Sequence, residues 1–469
     1  MKSRWKLGCA ALLGVVLAGC FPEKRIFWSP DGKTAAVIAN ERLYFCDGAG
    51  ALTPPLLSNA MTVAWLGNAQ DLVVELKFPA QSWPDLTNLV SQTTVTEVAE
   101  TARRLLPQLK QGAKADELLQ DYARSNGDGF VSAVKIYWRD CHSEEVFDLQ
   151  AKEAEELEKE RSADVIVLQR MTYQDGQLVP GRELSRNFDP ALELRPSPQG
   201  KLLAYATSAG LVVTPVDGSA PPRLLDGSTV AMFFDWTPDG RSLVYIKTAY
   251  EKNKRDVTLG VLARRRICNE EGMLEPAEEC EDLAGLLFDE ASKVRCMRDG
   301  RILFTSLPLQ LPATGKEMPQ REQLFALDPA RYHSAIRLIP NSAEEQMPKK
   351  LATFEISPDD KRISTLLDNG GVAVFNLDSG TVDTVQADQA DVKSQLIPSW
   401  KSADELCYGS IADVGKTNQL YLLEVALWKN GKTRSISAQW PTNMTAKLFD
   451  SDDAAKPNPH RTRVEEPAE

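Results

Sequence analysis

The side chains that most often carry catalysis are present in this chain without the spacing that catalysis requires. Only three histidines exist, His142, His333 and His460, and their positions pair none of them with a nucleophile. A histidine base needs a fixed geometry, and the chain has no GxSxG elbow and no HExxH or phosphate-loop motif. Carboxylates gathered from distant segments, as in glycosidases, are the one alternative that a single sequence leaves open. We therefore expect no catalytic residue, no cofactor and no metal.

Six cysteines follow residue 20, and two of them are close enough in sequence to suggest a bond. Cys268 and Cys280 flank the segment Asn269-Glu270-Glu271-Gly272 and could face each other across a hairpin. An even number of cysteines in an exported chain permits disulfides. No CxxC pair exists, and no spacing fits a zinc site. The alternatives are a Cys268–Cys280 disulfide and six buried thiols that act as small hydrophobic side chains.

A short phrase that ends in aspartate and glycine recurs along the chain. Residues 28–32 read WSPDG and residues 236–240 read WTPDG, and relaxed forms start at positions 65, 196, 296, 356 and 400. Proline presets the first corner of a tight turn, aspartate accepts hydrogen bonds from nearby amides, and glycine takes the positive φ that closes the turn. The residues that define the repeat are Trp28, Asp31, Gly32, Trp65, Pro198, Gly200, Trp236, Asp239, Gly240, Asp299, Gly300, Pro358, Asp359 and Trp400.

The repeat predicts a β-propeller. Four of the eight tryptophans after the first twenty residues hold the first position of the phrase, and the intervals between phrases are 37, 131, 40, 60, 60 and 44 residues. Three of these intervals lie near forty, the period of a four-stranded propeller blade. Apolar runs such as Leu243–Ile246 are typical of strands buried on both faces. We expect an all-β, seven-bladed β-propeller, with six or eight blades as alternatives. We expect Asp31, Asp239 and Asp359 to cap turns rather than to form a carboxylate site.

At these phrases the chain resembles the TolB-like β-propellers, whose blades carry a WSPDG-type repeat. The resemblance extends over nearly the whole chain after the first twenty residues and is strongest at Trp28 and Trp236. It implies a protein without catalytic activity that binds an envelope protein, whose identity the sequence does not give. The alternatives are a carbohydrate-binding or carbohydrate-active propeller that uses carboxylates on one face, and a constitutive component of a surface or secretion assembly.

The N-terminus resembles the signal peptide of a bacterial lipoprotein. Lys2, Arg4 and Lys6 precede an apolar run that ends at Leu17-Ala18-Gly19-Cys20, which is similar to a lipobox. The resemblance implies removal of residues 1–19 and acylation of Cys20. Each buried methylene then contributes roughly 0.8 kcal/mol to membrane binding. We expect the protein to be lipid-anchored in the cell envelope, on the periplasmic side or the cell surface, and at the outer membrane where the host has one.

Charge excludes some other partners. The net charge is −12 and the pI is about 5.1, which argues against binding to nucleic acid and against electrostatic adhesion to anionic lipid. No later stretch reaches eighteen uninterrupted apolar residues. We expect residues 20–450 to form the propeller and 451–469, which mix charges and prolines, to form a disordered tail.

The long interval after Trp65 predicts a helical insertion in the second blade, at about residues 84–127. A capping box at Thr94 and Glu97 starts a pattern of apolar residues at helical spacing. Residues 150–162 predict a second, highly charged helix. This insertion and the loop Leu307–Gln320 both follow the second strand of a blade, so we expect them to share one face of the propeller. The insertion either covers the propeller or docks a partner, and recognition usually occupies loops on a rigid scaffold.

Overall fold

The computed structural model describes residues 24–144, 155, 157, 160, 162–226, 229–250, 258–276, 280–288, 293–306, 323–331, 335–337, 354–366, 371–386, 392–393, 397–413 and 420–440. The predicted signal peptide, Cys20, the loop Leu307–Gln320 and the tail lie outside these residues, as does most of the charged segment 150–162. The chain divides into two compact units. They comprise Met1–Pro54 with Leu287–Met297 and Arg301–Glu469, and Pro55–Leu286 with Arg298–Gly300.

The chain folds as a seven-bladed β-propeller, which confirms the predicted fold class, and each blade is an antiparallel sheet of consecutive strands. Blade 1 contains β1 (Ile26–Trp28), β2 (Thr34–Ala39), β3 (Arg42–Asp47) and β4 (Leu57–Ser58). Blade 2 contains β5 (Ala60–Trp65), β6 (Asp71–Ala80), β7 (Ala163–Gln174) and β8 (Gln177–Asn187). Blade 3 contains β9 (Leu194–Pro196), β10 (Leu202–Thr207), β11 (Gly210–Pro215) and β12 (Arg223–Asp226). Blade 4 contains β13 (Thr229–Trp236), β14 (Ser242–Tyr250), β15 (Thr258–Arg266) and β16 (Glu281–Phe288).

The remaining three blades follow the same order. Blade 5 contains β17 (Val294–Cys296), β18 (Ile302–Ser306), β19 (Gln323–Leu327) and β20 (Ala335–Arg337). Blade 6 contains β21 (Phe354–Ile356), β22 (Arg362–Leu366), β23 (Val372–Asn376) and β24 (Val382–Gln386). Blade 7 contains β25 (Val392–Lys393), β26 (Ser399–Trp400), β27 (Leu406–Asp413), β28 (Leu420–Lys429) and β29 (Lys432–Ser435). In this blade β25 and β26 both pair with β27.

The apolar core lies between neighbouring blades, because second and third strands are buried on both faces. All six residues of β10 and of β11 are buried. Between blades 2 and 3 the core is formed by residues of both sheets, among them Val73, Leu168, Leu203 and Tyr205. Comparable clusters fill the interfaces of blades 3 and 4, 5 and 6, and 6 and 7. Sheets stacked in this way account for apolar runs where a half-exposed strand would show alternation.

Blades 1 and 7 meet within the first unit, and among the described residues no strand is shared between their sheets. Blade 1 is built only from N-terminal strands and blade 7 only from C-terminal strands. The contact is made by an apolar cluster that includes Trp28, Cys46 and Trp440. The indole N–H of Trp440 donates to the Gly50 carbonyl at 3.0 Å. Side-chain packing and single hydrogen bonds therefore join the two ends of the chain.

Within the described residues, four helices with defined bounds follow β6 of blade 2 before β7 begins. They are α1 (Trp83–Leu89), α2 (Gln92–Lys110), α3 (Ala115–Asn126) and α4 (Asp128–Cys141). The predicted bounds need two corrections. Helix α2 starts earlier than expected, because the hydroxyl of Ser91 accepts the Thr94 N–H at 3.2 Å and acts as the N-cap. Gly127, with φ +85°, does not end the insertion but turns the chain into α4. No helix of the described part is long and apolar enough to cross a membrane.

Candidate functional site

The aspartates of the repeated phrase act within their own turns. Oδ1 of Asp31 accepts the Ser29 hydroxyl at 2.7 Å and the Lys33 N–H at 3.1 Å. The same two bonds form at Asp239, with distances of 2.6 and 3.0 Å, and at Asp359, with distances of 2.6 and 3.3 Å. Three aspartates from three blades thus have one local role. A turn bond of this kind contributes about 1 kcal/mol or less.

In five of the seven phrases the last position adopts a left-handed backbone. Gly32, Gly200, Gly240 and Gly300 have φ between +67° and +89°, and Asp360 takes the same conformation at +61° in blade 6. At Gly200 an added Cβ would lie 2.5 Å from the backbone nitrogen of Gly67, which belongs to the phrase of blade 2. Glycine therefore serves two purposes here, a positive φ and a close approach between phrases of neighbouring blades.

The tryptophans of the phrase lie at equivalent places. Trp28, Trp65, Trp236 and Trp400 are the last residues of β1, β5, β13 and β26. The indole N–H of Trp236 donates to the Arg195 carbonyl of the preceding blade at 2.9 Å, and that of Trp400 donates to the Glu355 carbonyl at 3.1 Å. In blades 4 and 7 the first residue of the phrase thus connects its blade to the one before it. The repeated residues are placed as structural elements, and they do not converge on one site.

The predicted disulfide is not formed, since Cys268 and Cys280 are both free thiols. Sγ of Cys280 lies 3.1 Å from the Tyr245 hydroxyl and 3.7 Å from the Arg264 carbonyl. Cys268 is four residues further along the chain from Arg264, and its thiol contacts the Gly240 carbonyl at 3.4 Å. Both belong to the apolar cluster between blades 3 and 4. The alternative that treats them as small hydrophobic side chains fits these contacts.

The helical insertion is a compact body with its own apolar core. Buried residues of all four helices pack on Ala80, Ala163, Val165 and Phe188 of blade 2 and its exit. Inside this core the indole N–H of Trp138 donates to the Ala102 carbonyl at 2.8 Å, which ties α4 to α2. A helical unit of this kind holds its exposed face in a fixed position relative to blade 2.

The exposed face of α2 is charged. Glu97, Glu100, Arg103 and Arg104 are exposed along this helix, while Val98, Ala102 and Leu109 point into the core. The Arg104 guanidinium hydrogen-bonds to the Tyr122 hydroxyl of α3. The insertion thus presents a polar surface whose side chains are partly ordered by neighbouring aromatic residues.

A second feature, which the sequence analysis missed, is a buried carboxyl beneath the insertion. Glu75 in β6 is 1% exposed. It lies in the strand three residues after Leu72, the residue that pairs with the phrase tryptophan Trp65. The equivalent residues of the other six blades are Ile38, Ala206, Ile246, Thr305, Leu366 and Gly409. None of these six side chains is ionisable. Aligning the seven second strands by the phrase that precedes each of them would have identified Glu75 as the exception from the sequence alone.

Glu75 has few polar neighbours. Its Oε1 accepts the Ala191 N–H at 3.2 Å, and its Oε2, which is inaccessible to solvent, has no hydrogen-bond partner. Burial, with a further contribution from the charge of Asp189, raises the pKa of Glu75 to about 8. Burial is the cause that matters most, because an isolated charge loses its hydration in an apolar interface. The Glu75 carboxyl therefore retains its proton at neutral pH.

Asp189 lies beside Glu75 on the connection between β8 and β9. Its Oδ2 accepts the backbone N–H of Ser208 at 2.9 Å and the Ser208 hydroxyl at 2.6 Å. Burial raises the pKa of Asp189 as well, against the effect of these hydrogen bonds. From the facing strand β10, burial raises the pKa of the Tyr205 hydroxyl to about 12. No group of three or more His, Cys, Asp or Glu residues in the described ranges could hold a metal ion.

The connection that carries Asp189 also supports the insertion. A Cβ at Gly127, between α3 and α4, would lie 2.9 Å from the Cα of Asp189, and one at Gly129 would lie 2.8 Å from the Phe188 carbonyl oxygen. The Arg186 guanidinium donates to the Leu89 carbonyl at the end of α1 at 2.8 Å. The candidate site is therefore the insertion together with the Glu75–Asp189 pair that lies under it.

Comparison with known proteins gives a resemblance in fold. No family model and no curated protein matches the chain. A puromycin hydrolase structure matches with a TM-score of 0.47 and 12% identity, over 94% of this chain and 56% of that one. The β-propeller domain of Cps50 (Swd1) from Myceliophteria thermophila gives 0.45 and 10%, over 87% and 97%. Oligogalacturonate lyase from Vibrio parahaemolyticus gives 0.39 and 13%, over 73% and 74%. This chain thus spans little more than half the length of the hydrolase. Its strand order makes it a seven-bladed β-propeller.

Proposed function

We propose that the protein is a lipid-anchored β-propeller of the bacterial cell envelope that binds another envelope protein through its helical insertion and catalyses no reaction. The proposal combines the lipobox-like sequence at Cys20, the TolB-like phrases and the insertion of blade 2. The observation that carries the proposal is the insertion itself, whose four helices share an apolar core of their own and expose a charged face. Recognition surfaces are commonly placed on such additions to a rigid scaffold.

The site of the insertion supports a role beyond covering the blade. It begins and ends at Ala80 and Ala163, which are direct partners in the ladder of β6 and β7. A two-residue turn would suffice to join strands paired in this way. Blade 2 could therefore close its hairpin without the helices, and their presence calls for a further purpose.

The carbohydrate alternative is less well supported. Its carboxylates would have to reach a glycan, as the pair of acids in a glycosidase does. In the described part, Glu75 and Asp189 are neighbouring carboxyls whose pKa values are both raised by burial. Glu75 is 1% exposed and lies within the interface of blades 2 and 3. We therefore favour protein binding over carbohydrate chemistry.

Affinity capture from cross-linked envelopes tests the proposal. The full tagged chain is compared with a Glu97→Lys, Glu100→Lys variant, which changes only exposed charges of α2. We expect the wild type to capture one envelope protein in constant ratio and the variant to lose at least tenfold of it, because charge reversal at a rim changes association and specificity.

The matched control is Glu270→Lys, Glu271→Lys, which makes the same charge change in an exposed turn of blade 4. This control should capture the partner as the wild type does. Equal capture by all three proteins would remove the insertion from the binding site. Absence of any constant partner would contradict the proposed function.

A further inference from the structure

Burial of the Glu75 carboxyl destabilises the fold, and packing alone does not explain its presence. The carboxyl replaces an apolar or small neutral residue at a position that is buried in all seven blades. It faces blade 3 in the same interface as Leu168 and Tyr205. One of its oxygens is buried without a hydrogen-bond partner, and burial of an unsatisfied polar atom destabilises a fold. Blade 2 is also the blade that carries the insertion.

The charges around Glu75 do not favour its ionised form. Asp189 of the β8–β9 connection is the neighbouring acid, and Tyr205 of β10 is the neighbouring hydroxyl, with a pKa raised by burial. On the same face of blade 2, the cations in the paired strands are Lys77 of β6, two residues from Glu75, and Arg170 of β7, opposite Val73. Lys77 lies 3.8 Å from Asp164 and Arg170 lies 2.9 Å from Asp71, so each already has an acidic partner. An ionised Glu75 would therefore add a second negative charge beside Asp189 in an apolar interface.

We propose that Glu75 is a proton-operated latch on the helical insertion: the neutral carboxyl holds the β8–β9 connection closed, and its ionisation favours an opened connection and a loosened insertion. The mechanical link is short. Glu75 Oε1 accepts the Ala191 N–H, Asp189 is two residues before Ala191, and Gly127 of the insertion packs on the Cα of Asp189. Ionisation passes the carboxyl proton to water and leaves one negative charge, which only hydration by opening can stabilise.

The sign of the pH dependence follows from the raised pKa. The ordinary value for glutamate is 4.5 and the closed state holds Glu75 near 8. The closed state thus binds the proton more tightly than the open one. Its advantage is complete below pH 4.5 and falls as pH rises towards 8, where the dependence levels off. The latch is a property of the fold and does not depend on the partner proposed above.

Hydrogen–deuterium exchange of the full chain in a neutral detergent tests the latch. Protection from exchange is measured at pH 6 and pH 8 for peptides that cover α3, α4 and residues 188–193. At each pH, the protection factor of Glu75→Gln is divided by that of the wild type. This ratio cancels the intrinsic pH dependence of exchange. From pKa values of 4.5 and about 8, it should grow about 50-fold between the two pH values. Glutamine keeps an acceptor for the Ala191 N–H and cannot ionise.

Two controls keep the test decisive. Glu100→Gln removes an exposed carboxylate of α2 and should leave the ratio at one. Peptides covering β21 to β23 of blade 6 should show no effect of the Glu75 substitution. If Glu75→Gln does not fold, Glu75→Leu replaces it, since Leu366 occupies the equivalent position. The latch would be overturned if the protection ratio of the insertion peptides stayed constant with pH. It would also be overturned if the ratio of the blade 6 peptides grew by the same factor.

Discussion

Replacement of Gly200 by alanine should show how much stability is lost through the contact between blades 2 and 3, beyond the loss caused by backbone strain at a positive φ. Gly200 has φ +67°, and its new Cβ would lie 2.5 Å from the nitrogen and 3.2 Å from the Cα of Gly67. Both neighbours are backbone atoms of another blade, so a side-chain rotation cannot relieve the contact. Gly300 is the matched control, because it has φ +89° in the same position of its phrase and an added Cβ would meet nothing within 4 Å.

Both substitutions place an alanine at a positive φ, and only Gly200→Ala also forces a contact with another blade. A left-handed conformation costs an alanine about 1–2 kcal/mol, and the reduced freedom of the unfolded chain returns about 0.4–1 kcal/mol. Gly300→Ala should therefore lower the free energy of unfolding by about 1 kcal/mol. At Gly200, displacement of the packed phrase of blade 2 adds about 1–3 kcal/mol. The expected loss for Gly200→Ala is about 2–4 kcal/mol.

Urea unfolding followed by tryptophan fluorescence measures both values under the same conditions. Asp360→Gly completes the series, because Asp360 already holds the left-handed conformation at φ +61°, and its stability should change by less than about 1 kcal/mol. If Gly200→Ala costs no more than Gly300→Ala, the phrases of blades 2 and 3 do not touch as described. The reasoning about contact between phrases would then be wrong.

Two further predictions concern an interblade ion pair and the anchor. Arg295 of blade 5 is 2% exposed and its Nη2 lies 3.2 Å from Oε1 of Glu355 in blade 6. We expect Glu355→Gln to cost on the order of 3 kcal/mol in urea unfolding, and the double variant with Arg295→Met to recover part of that loss. A double variant that loses as much as Glu355→Gln and Arg295→Met added together would show that the pair is not coupled. Metabolic labelling with palmitate should mark the wild type and leave Cys20→Ser unlabelled. Labelling of that variant would place any acyl group elsewhere.

Local chemistry explains why the fold could be predicted. The phrase is read from residues within five positions of each other, and proline, aspartate and glycine determine such a turn without help from distant segments. All seven phrases lie where a first strand ends and a second begins, including the weak one at Cys296. Blade count therefore follows from counting turns, provided that the insertions between them do not hide one.

Long-range geometry explains what could not be predicted. The proposed Cys268–Cys280 bond assumed a simple hairpin, and the position of Cys280 instead depends on how it packs near Tyr245 and Arg264. The predicted bounds of the insertion end at residue 127, whereas Gly127 turns the chain into α4. Its close approach to Asp189, which fixes the next helix in place, arises from a segment about sixty residues later.

The burial of Glu75 shows how a repeat fold can reveal function where a single strand cannot. In isolation, a glutamate between valine and leucine is unremarkable, and most glutamates are exposed. Seven superposable blades supply six internal references for the same position, and all six lack an ionisable group. A blade that needed only to pack would gain stability from leucine here. The blade that accepts this ionisable carboxyl is also the one that carries the helical insertion between β6 and β7. The simplest physical account is that stability of the closed state was given up for control over that insertion.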